Sequence, residues 1–207
     1  MPYTSFAAHE VGHGLGLPHS ADQSLGEYTD PFDLMSALSA WRFNWLNYPW
    51  EGPIAREPGS GPGLSVPNLL VLDAIPAGRI ATWNVAGGNQ QRFALTALSR
   101  PASPHLLAVK IIGPSSEIFT VEYRQGDGWD RGIPQALVLI HRFVPGGQPL
   151  SILQLGPTRP GPEIRLVRTK GGWAAGQLWA NRTLGFSVFV ESIDTVTGTA
   201  VISVNTT

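Results

Sequence analysis

The chain contains no cysteine. A disulfide framework, a thiolate metal site and a cysteine nucleophile are therefore excluded, and any bound metal must be held by histidine and carboxylate. Charge is scarce too: charged residues make up 14% of the 207 residues, and the net charge is −1. The basic residues form no stripe of the kind a phosphate backbone attracts, so no nucleic-acid partner is expected. No apolar run approaches the ~18 residues of a membrane-spanning helix, so no transmembrane segment is expected. The opening residues MPYTSFAAHE lack the charged and apolar regions of a signal peptide. With 43% apolar residues, the chain also lies outside the low-hydrophobicity, high-charge regime of disorder. Its length is enough to bury a core without a covalent staple.

Glycine and proline are abundant, at 24 and 18 residues. They follow no three-residue period, which excludes collagen and favours many short strands joined by turns. They crowd into residues 49–67, where Pro49, Gly52, Pro53, Pro58, Gly59, Gly61, Pro62, Gly63 and Pro67 predict a long loop. Before that loop the apolar spacing is helical. Phe6, Val11 and Leu15 ride a helix opened by Thr4 or Ser5 and closed by Gly14 and Gly16. Leu38, Trp41, Trp45 and Leu46 mark a second helix, with Ser36 as its N-cap. Beyond residue 79 come short apolar or alternating runs: IATWNV, RFALTAL, LLAVKII, IFTVEY, ALVLIHRF, IRLVR, FSVFVE and TAVISV. In IFTVEY, Phe119, Val121 and Tyr123 face one way and Thr120 and Glu122 the other, the period of an antiparallel sheet with one wet face. The expected class is α+β, ending in an antiparallel β-sandwich or Greek-key barrel over 79–207.

The chemistry is concentrated in HEVGHGLGLPH, residues 9–19, which holds three of the five histidines in the pattern H-E-x-x-H-x-x-G-x-x-H. His9 and His13 stand four apart, so a helix places both imidazoles on one face within reach of a single zinc ion. A third ligand further along the same helix would point away. Gly16 permits the left-handed turn that ends the helix and returns His19 to the metal. Three nitrogen ligands leave one tetrahedral position open, as in catalytic rather than structural zinc sites. Glu10 is not needed as a ligand, and its carboxylate is suited to act as general base toward water and then to protonate a leaving amine.

These residues resemble those of the metzincin zinc endopeptidases, whose motif is this eleven-residue pattern followed by a methionine-bearing turn. YTDPFDLMSALSAW resembles that turn. The likeness implies that Met35 is the apolar floor beneath the zinc and that the helix from Ser36 is the family's closing helix. Ser20 follows the third ligand, and Ala37 stands two places after Met35. A tyrosine ligand of the astacin or serralysin kind is therefore not supported. EIFTVEYRQGDGWDRGIPQALVLIHRF and GFSVFVESIDTVTGTAVISV resemble the β-rich regions that follow the catalytic domain in gametolysin-like and immune-inhibitor-A-like secreted metallopeptidases.

The resemblance implies that residues 1–78 are the zinc-bearing, C-terminal helical part of a catalytic domain. It also implies an extracellular location and a protein or peptide substrate. Metzincin catalytic domains carry an upstream sheet, whereas only eight residues precede His9. The expectation is thus a fragment of a longer protein or a misassigned start, with a loose 1–78 region. The competing reading is a catalytically inert chain whose β domain binds glycan or protein at a cell surface. Asp127 and Asp130, like Asp30 and Asp33, offer loop oxygens of the kind that bind calcium, and read equally as turn formers. His105 and His141 read as loop or strand-end histidines rather than ligands.

Overall fold

Strand alternation from residue 80 onward builds two sheets that share one apolar core. The computed structural model describes residues 4–24, 26–36, 43–44, 59–157 and 171–207. Helix α1 spans Thr4–Gly14 and α2 spans Val66–Val71. The strands are β1 (Ala21–Asp22), β2 (Phe43–Asn44), β3 (Gly59–Ser60), β4 (Ile80–Asn84), β5 (Gln91–Thr96), β6 (Ala108–Ile112), β7 (Ile118–Arg124), β8 (Leu137–Phe143), β9 (Ser151–Leu153), β10 (Leu178–Asn181), β11 (Phe186–Asp194) and β12 (Thr199–Thr206). The first sheet has the order β1-β9-β8-β7-β6-β4, the second β10-β11-β12-β5, and β2 pairs with β3 alone. The molecule is mostly β-sheet with few helices, as the α+β, sandwich-like expectation requires.

The core between the sheets is filled by alternate residues of both. Trp83, Ile111, Phe119, Val121, Tyr123, Val138 and Ile140 come from the first sheet. Phe93, Leu95, Phe186, Val188, Ala200, Ile202 and Val204 come from the second. Phe186 lies at the crossing, with its ring 5.5 Å from Phe119 and 5.2 Å from Trp179, both T-shaped or tilted as the aromatic quadrupole favours.

Two sequence expectations change here. The first sheet is mixed rather than antiparallel, because β4 pairs with β6, and β1 with β9, in parallel. The wet face expected of β7 is dry: Thr120, Glu122 and Arg124 are all 0% exposed. Residues from the first third of the chain cover that face. Strand β1 extends the sheet with Ala21 opposite Ile152, α2 packs on β7 and β8, and Val66 donates its N–H to Glu122 Oε2 at 2.7 Å. The alternation was therefore read correctly, but its second face meets polar partners instead of water.

Within the stretch expected to be a loop, Gly59–Ser60 is extended against Phe43–Asn44, and Ser65 precedes α2, which has proline in its first turn. Phe43 and Asn44 are extended, not part of a helix. The rest of the proposed second helix and the IRLVR run lie outside the described residues. Strands β9 and β10 were not anticipated. On α1, Ser5, His9 and Gly12 are buried, whereas Phe6, Val11 and Leu15 are exposed. Among the described residues, no helix is long and apolar enough to cross a membrane.

Candidate metal centre

Helix α1 ends as its glycines dictate. Gly16 has φ 85°, Leu17 donates its N–H to Gly12 O at 3.0 Å, and Gly16 donates to His13 O at 2.9 Å. This pair of bonds is the Schellman motif, which satisfies carbonyls the helix leaves free. It reverses the chain, so that His19 faces the helix it has just left.

The result is convergence of three imidazoles. His13 Nε2 lies 3.1 Å from His9 Nε2 and 3.0 Å from His19 Nε2. His9 Nδ1 is 2.8 Å from Leu34 O, and His13 Nδ1 is 2.8 Å from Leu17 O. A carbonyl can only accept, so both Nδ1 atoms donate, and in the neutral rings Nε2 is left with a bare lone pair. Lone pairs aimed at one another at 3.0–3.1 Å repel unless a cation lies between them. A tetrahedral zinc with ligand lengths of about 2.0–2.1 Å has a nitrogen–nitrogen edge of about 3.4 Å, so the two edges that meet at His13 match such a site to within a few tenths of an ångström. Among the described residues, this is the only group of three or more His, Cys, Asp or Glu side chains whose ligand atoms converge.

His19 differs from the other two histidines. Among the described residues no carbonyl bonds its Nδ1, which lies 3.9 Å from the exposed Glu27 carboxylate. Burial, then His13 and His9, lower its pKa below the ordinary histidine value, outweighing the opposite pull of Glu27 and Glu10. The direction favours the neutral, ligating form. Glu10 is exposed on α1, next to His9.

Met35 is fully buried under the helix. A Cβ on Gly12 would run into its sulfur, and its carbonyl accepts the N–H of Ser20 at 2.8 Å. The residue after the third histidine is thereby tied to the methionine. Sequence spacing gave no sign of Tyr28, whose ring centroid lies 4.0 Å from that of His19 and 6.1 Å from that of His9.

The turn that carries Met35 is anchored by buried aspartates. Asp30 accepts the N–H of Phe32 at 2.9 Å and faces His141 Nε2 at 3.0 Å. Asp33 accepts from Met35 N at 2.9 Å, Ser20 Oγ at 2.9 Å and Asn68 Nδ2 at 2.8 Å. Burial, and then the neighbouring Asp30, raise the pKa of Asp33 above the usual carboxylate range. Asp130 is paired with Arg124, and Asp127 with Arg100, Ser99 and Gln125. All four aspartates weighed as calcium ligands thus accept from protein donors. His141, expected at a strand end or in a loop, lies within β8 and is fully buried.

Beside α1 opens an apolar cavity of about 260 Å³, lined by Ser5, Ala8, Leu34, Pro62, Leu69 and Trp129 among others. It adjoins the metal cluster through Ala8 and Leu34, the neighbour of His9 in sequence and the acceptor of its Nδ1. Comparison with protein-family models, with curated proteins and with solved structures finds no match to this chain.

Proposed function

We propose that the chain is a zinc-dependent endopeptidase of metzincin type, with residues 1–78 as the zinc-bearing part of the catalytic region and residues 79–207 as the β-sandwich behind it. The carrying observation is the convergence of three imidazoles, with His13 Nε2 3.1 Å from His9 Nε2 and 3.0 Å from His19 Nε2, and with His9 and His13 presented by Nδ1 donation to carbonyls. His9, His13 and His19 would hold the ion. When bound, zinc supplies Lewis acidity toward a scissile carbonyl and toward water. Glu10, on the exposed side of α1, takes a proton from the attacking water on its carboxylate and delivers it to the departing amine nitrogen. Met35 supports His9 and His13 from below by filling the space under Gly12. The apolar cavity against Ala8 and Leu34 receives an apolar side chain of a peptide substrate. The resemblance to secreted peptidases carries with it an extracellular location.

The test combines metal analysis with cleavage of casein or a quenched peptide. One zinc per chain is expected, lost in His9→Ala, His13→Ala and His19→Ala. Glu10→Gln keeps the metal and loses about 10²–10⁴-fold in rate, the usual contribution of a general base. Full activity in Glu10→Gln, or undiminished zinc in all three histidine variants, contradicts the reading.

A further inference from the structure

The three histidines are not held alike. His9 lies on α1 and is locked by Leu34 O, and His13 lies on α1 and is locked by Leu17 O. His19 lies on irregular chain, is only partly buried, and among the described residues has the exposed Glu27 carboxylate near its Nδ1 at 3.9 Å and no hydrogen-bonded carbonyl there. A metal ligand normally has its second nitrogen or its ring face fixed by a neighbour, because a freely rotating imidazole must be ordered when the ion binds. What lies against His19 is the ring of Tyr28, with centroids 4.0 Å apart and planes tilted by 45°. The same phenol is near-parallel to His9, at 6.1 Å and 26°.

The backbone of Tyr28 shows that this placement is imposed. Its φ is 62°, in the left-handed region that a bulky side chain rarely adopts. Such a conformation persists where the surroundings over-determine it. Here they do. Thr29 Oγ1 donates to Gly26 O at 2.7 Å and accepts the N–H of Asp22 at 2.8 Å, while Asp30 is buried against His141. Clamped on its C-terminal side, the chain turns Tyr28 outward over the histidines. The residue as a whole remains 40% exposed, so apolar burial alone does not account for the position.

We propose that Tyr28 is a positioning residue of the metal centre: its ring holds the His19 imidazole in the ligating orientation, as the carbonyls of Leu34 and Leu17 do for His9 and His13. This rests on the metal-binding reading above. The role belongs to the aromatic ring and not to the hydroxyl, so phenylalanine fulfils it.

The experiment is a titration of the full chain with Co²⁺, followed by its visible absorption band, and with Zn²⁺ in competition, for the parent, Tyr28→Gly and Tyr28→Phe. Glycine suits φ 62° and removes the ring, so Tyr28→Gly keeps or raises the melting temperature of the metal-free protein. It is expected to bind metal about 10–100-fold more weakly, the usual effect of losing a ligand's support, and to shift the cobalt band. Tyr28→Phe is expected to stay within about threefold of the parent in affinity, with the parent's band. Parental affinity in Tyr28→Gly overturns the proposal, as does a loss in Tyr28→Phe equal to that in Tyr28→Gly. Failure of the parent itself to take up either metal overturns the metal-binding reading as well, and is recognised because all three proteins then behave alike.

Discussion

His141 Nε2 and Asp30 Oδ2 lie 3.0 Å apart with both side chains fully buried, joining strand β8 to the turn that carries Met35. Glu122 Oε2 is 3.7 Å from the other nitrogen of the same imidazole, and Arg124 continues the chain of charges to Asp130. The face of β7 and β8 that looks away from the sandwich core thus carries a charged seam, and the segment that follows the three histidines is seated on it. A buried charge without a partner is costly, so such a seam tolerates few misplacements of the segment that completes it.

Stability is expected to depend on this seam through pH. Burial by itself would lower the pKa of His141, but Glu122, Asp30 and Asp33 together more than offset it and hold the imidazolium above the ordinary histidine value. A group raised in the folded state contributes stability that is complete below its unfolded pKa, about 6.5 for histidine, and is lost as pH rises through the folded value. Asp33, also raised, acts in the same direction from the carboxylate range upward. Below pH ~6.5 the lowered pKa of His19 acts in the opposite sense, so urea midpoints measured from pH ~6.5 to ~9 should fall with rising pH, and His141→Gln should flatten that fall. A parent profile that rises or stays level across this window contradicts the charged state assigned to His141.

Arg124 is the second point of attack. Its guanidinium donates to Asp130 at 2.6 and 2.5 Å and to Glu122 at 2.9 Å, and it reaches Gly63 O and Leu64 O at 3.3 and 3.4 Å. Burial opposes its charge, but Asp130 and Glu122 outweigh that effect and keep it protonated. Arg124→Met deprives the buried carboxylates of Asp130 and Glu122 of their guanidinium partner and should cost about 3–5 kcal/mol in denaturant unfolding. Arg124→Lys should recover only part of that, because a single ammonium cannot reproduce the fork. A loss under ~1 kcal/mol for Arg124→Met would show that the seam carries little of the stability.

Gly12 and Met35 should behave as a coupled pair. A methyl group at residue 12 meets the end of a flexible but fully buried methionine, so Gly12→Ala should destabilise the parent by about 1–3 kcal/mol, the usual range for overpacking. In a Met35→Ala background the same change fills space and improves helix propensity, so it should be neutral or stabilising by up to ~1 kcal/mol. Thermal unfolding of the four proteins of this cycle gives the sign directly. Equal effects in both backgrounds would mean that the helix does not bear on Met35.

The convergence of the three histidines and the glycine turn between them were legible in eleven residues because helical period and left-handed glycine are local properties. His9 and His13 needed only a 3.6-residue repeat, and Gly16 only its freedom at positive φ. Most strands after residue 79 were legible for the same reason, since alternation in IFTVEY or TAVISV is written along the chain. The second face of β7 was not. Glu122 and Arg124 look identical in sequence whether water or a buried partner receives them, and the partners stand at Asp130, Leu64, Val66 and His141.

The parallel pairing of β1 with β9 likewise joins segments 131 residues apart in number, Ala21 with Ile152, and no local pattern encodes it. Tyr28 reaches His19 because of a left-handed turn at a residue type that gives no hint of one. By itself, then, the sequence determined the histidine cluster and the alternation that makes a sandwich, because both depend on local periods and turns. Only the tertiary structure decided that the sheet's polar face is dry, that His141 and Asp30 meet, and that an aromatic ring stands over the third histidine. Those features arise from long-range packing, in which each buried charge needs a partner whose distance in sequence is arbitrary.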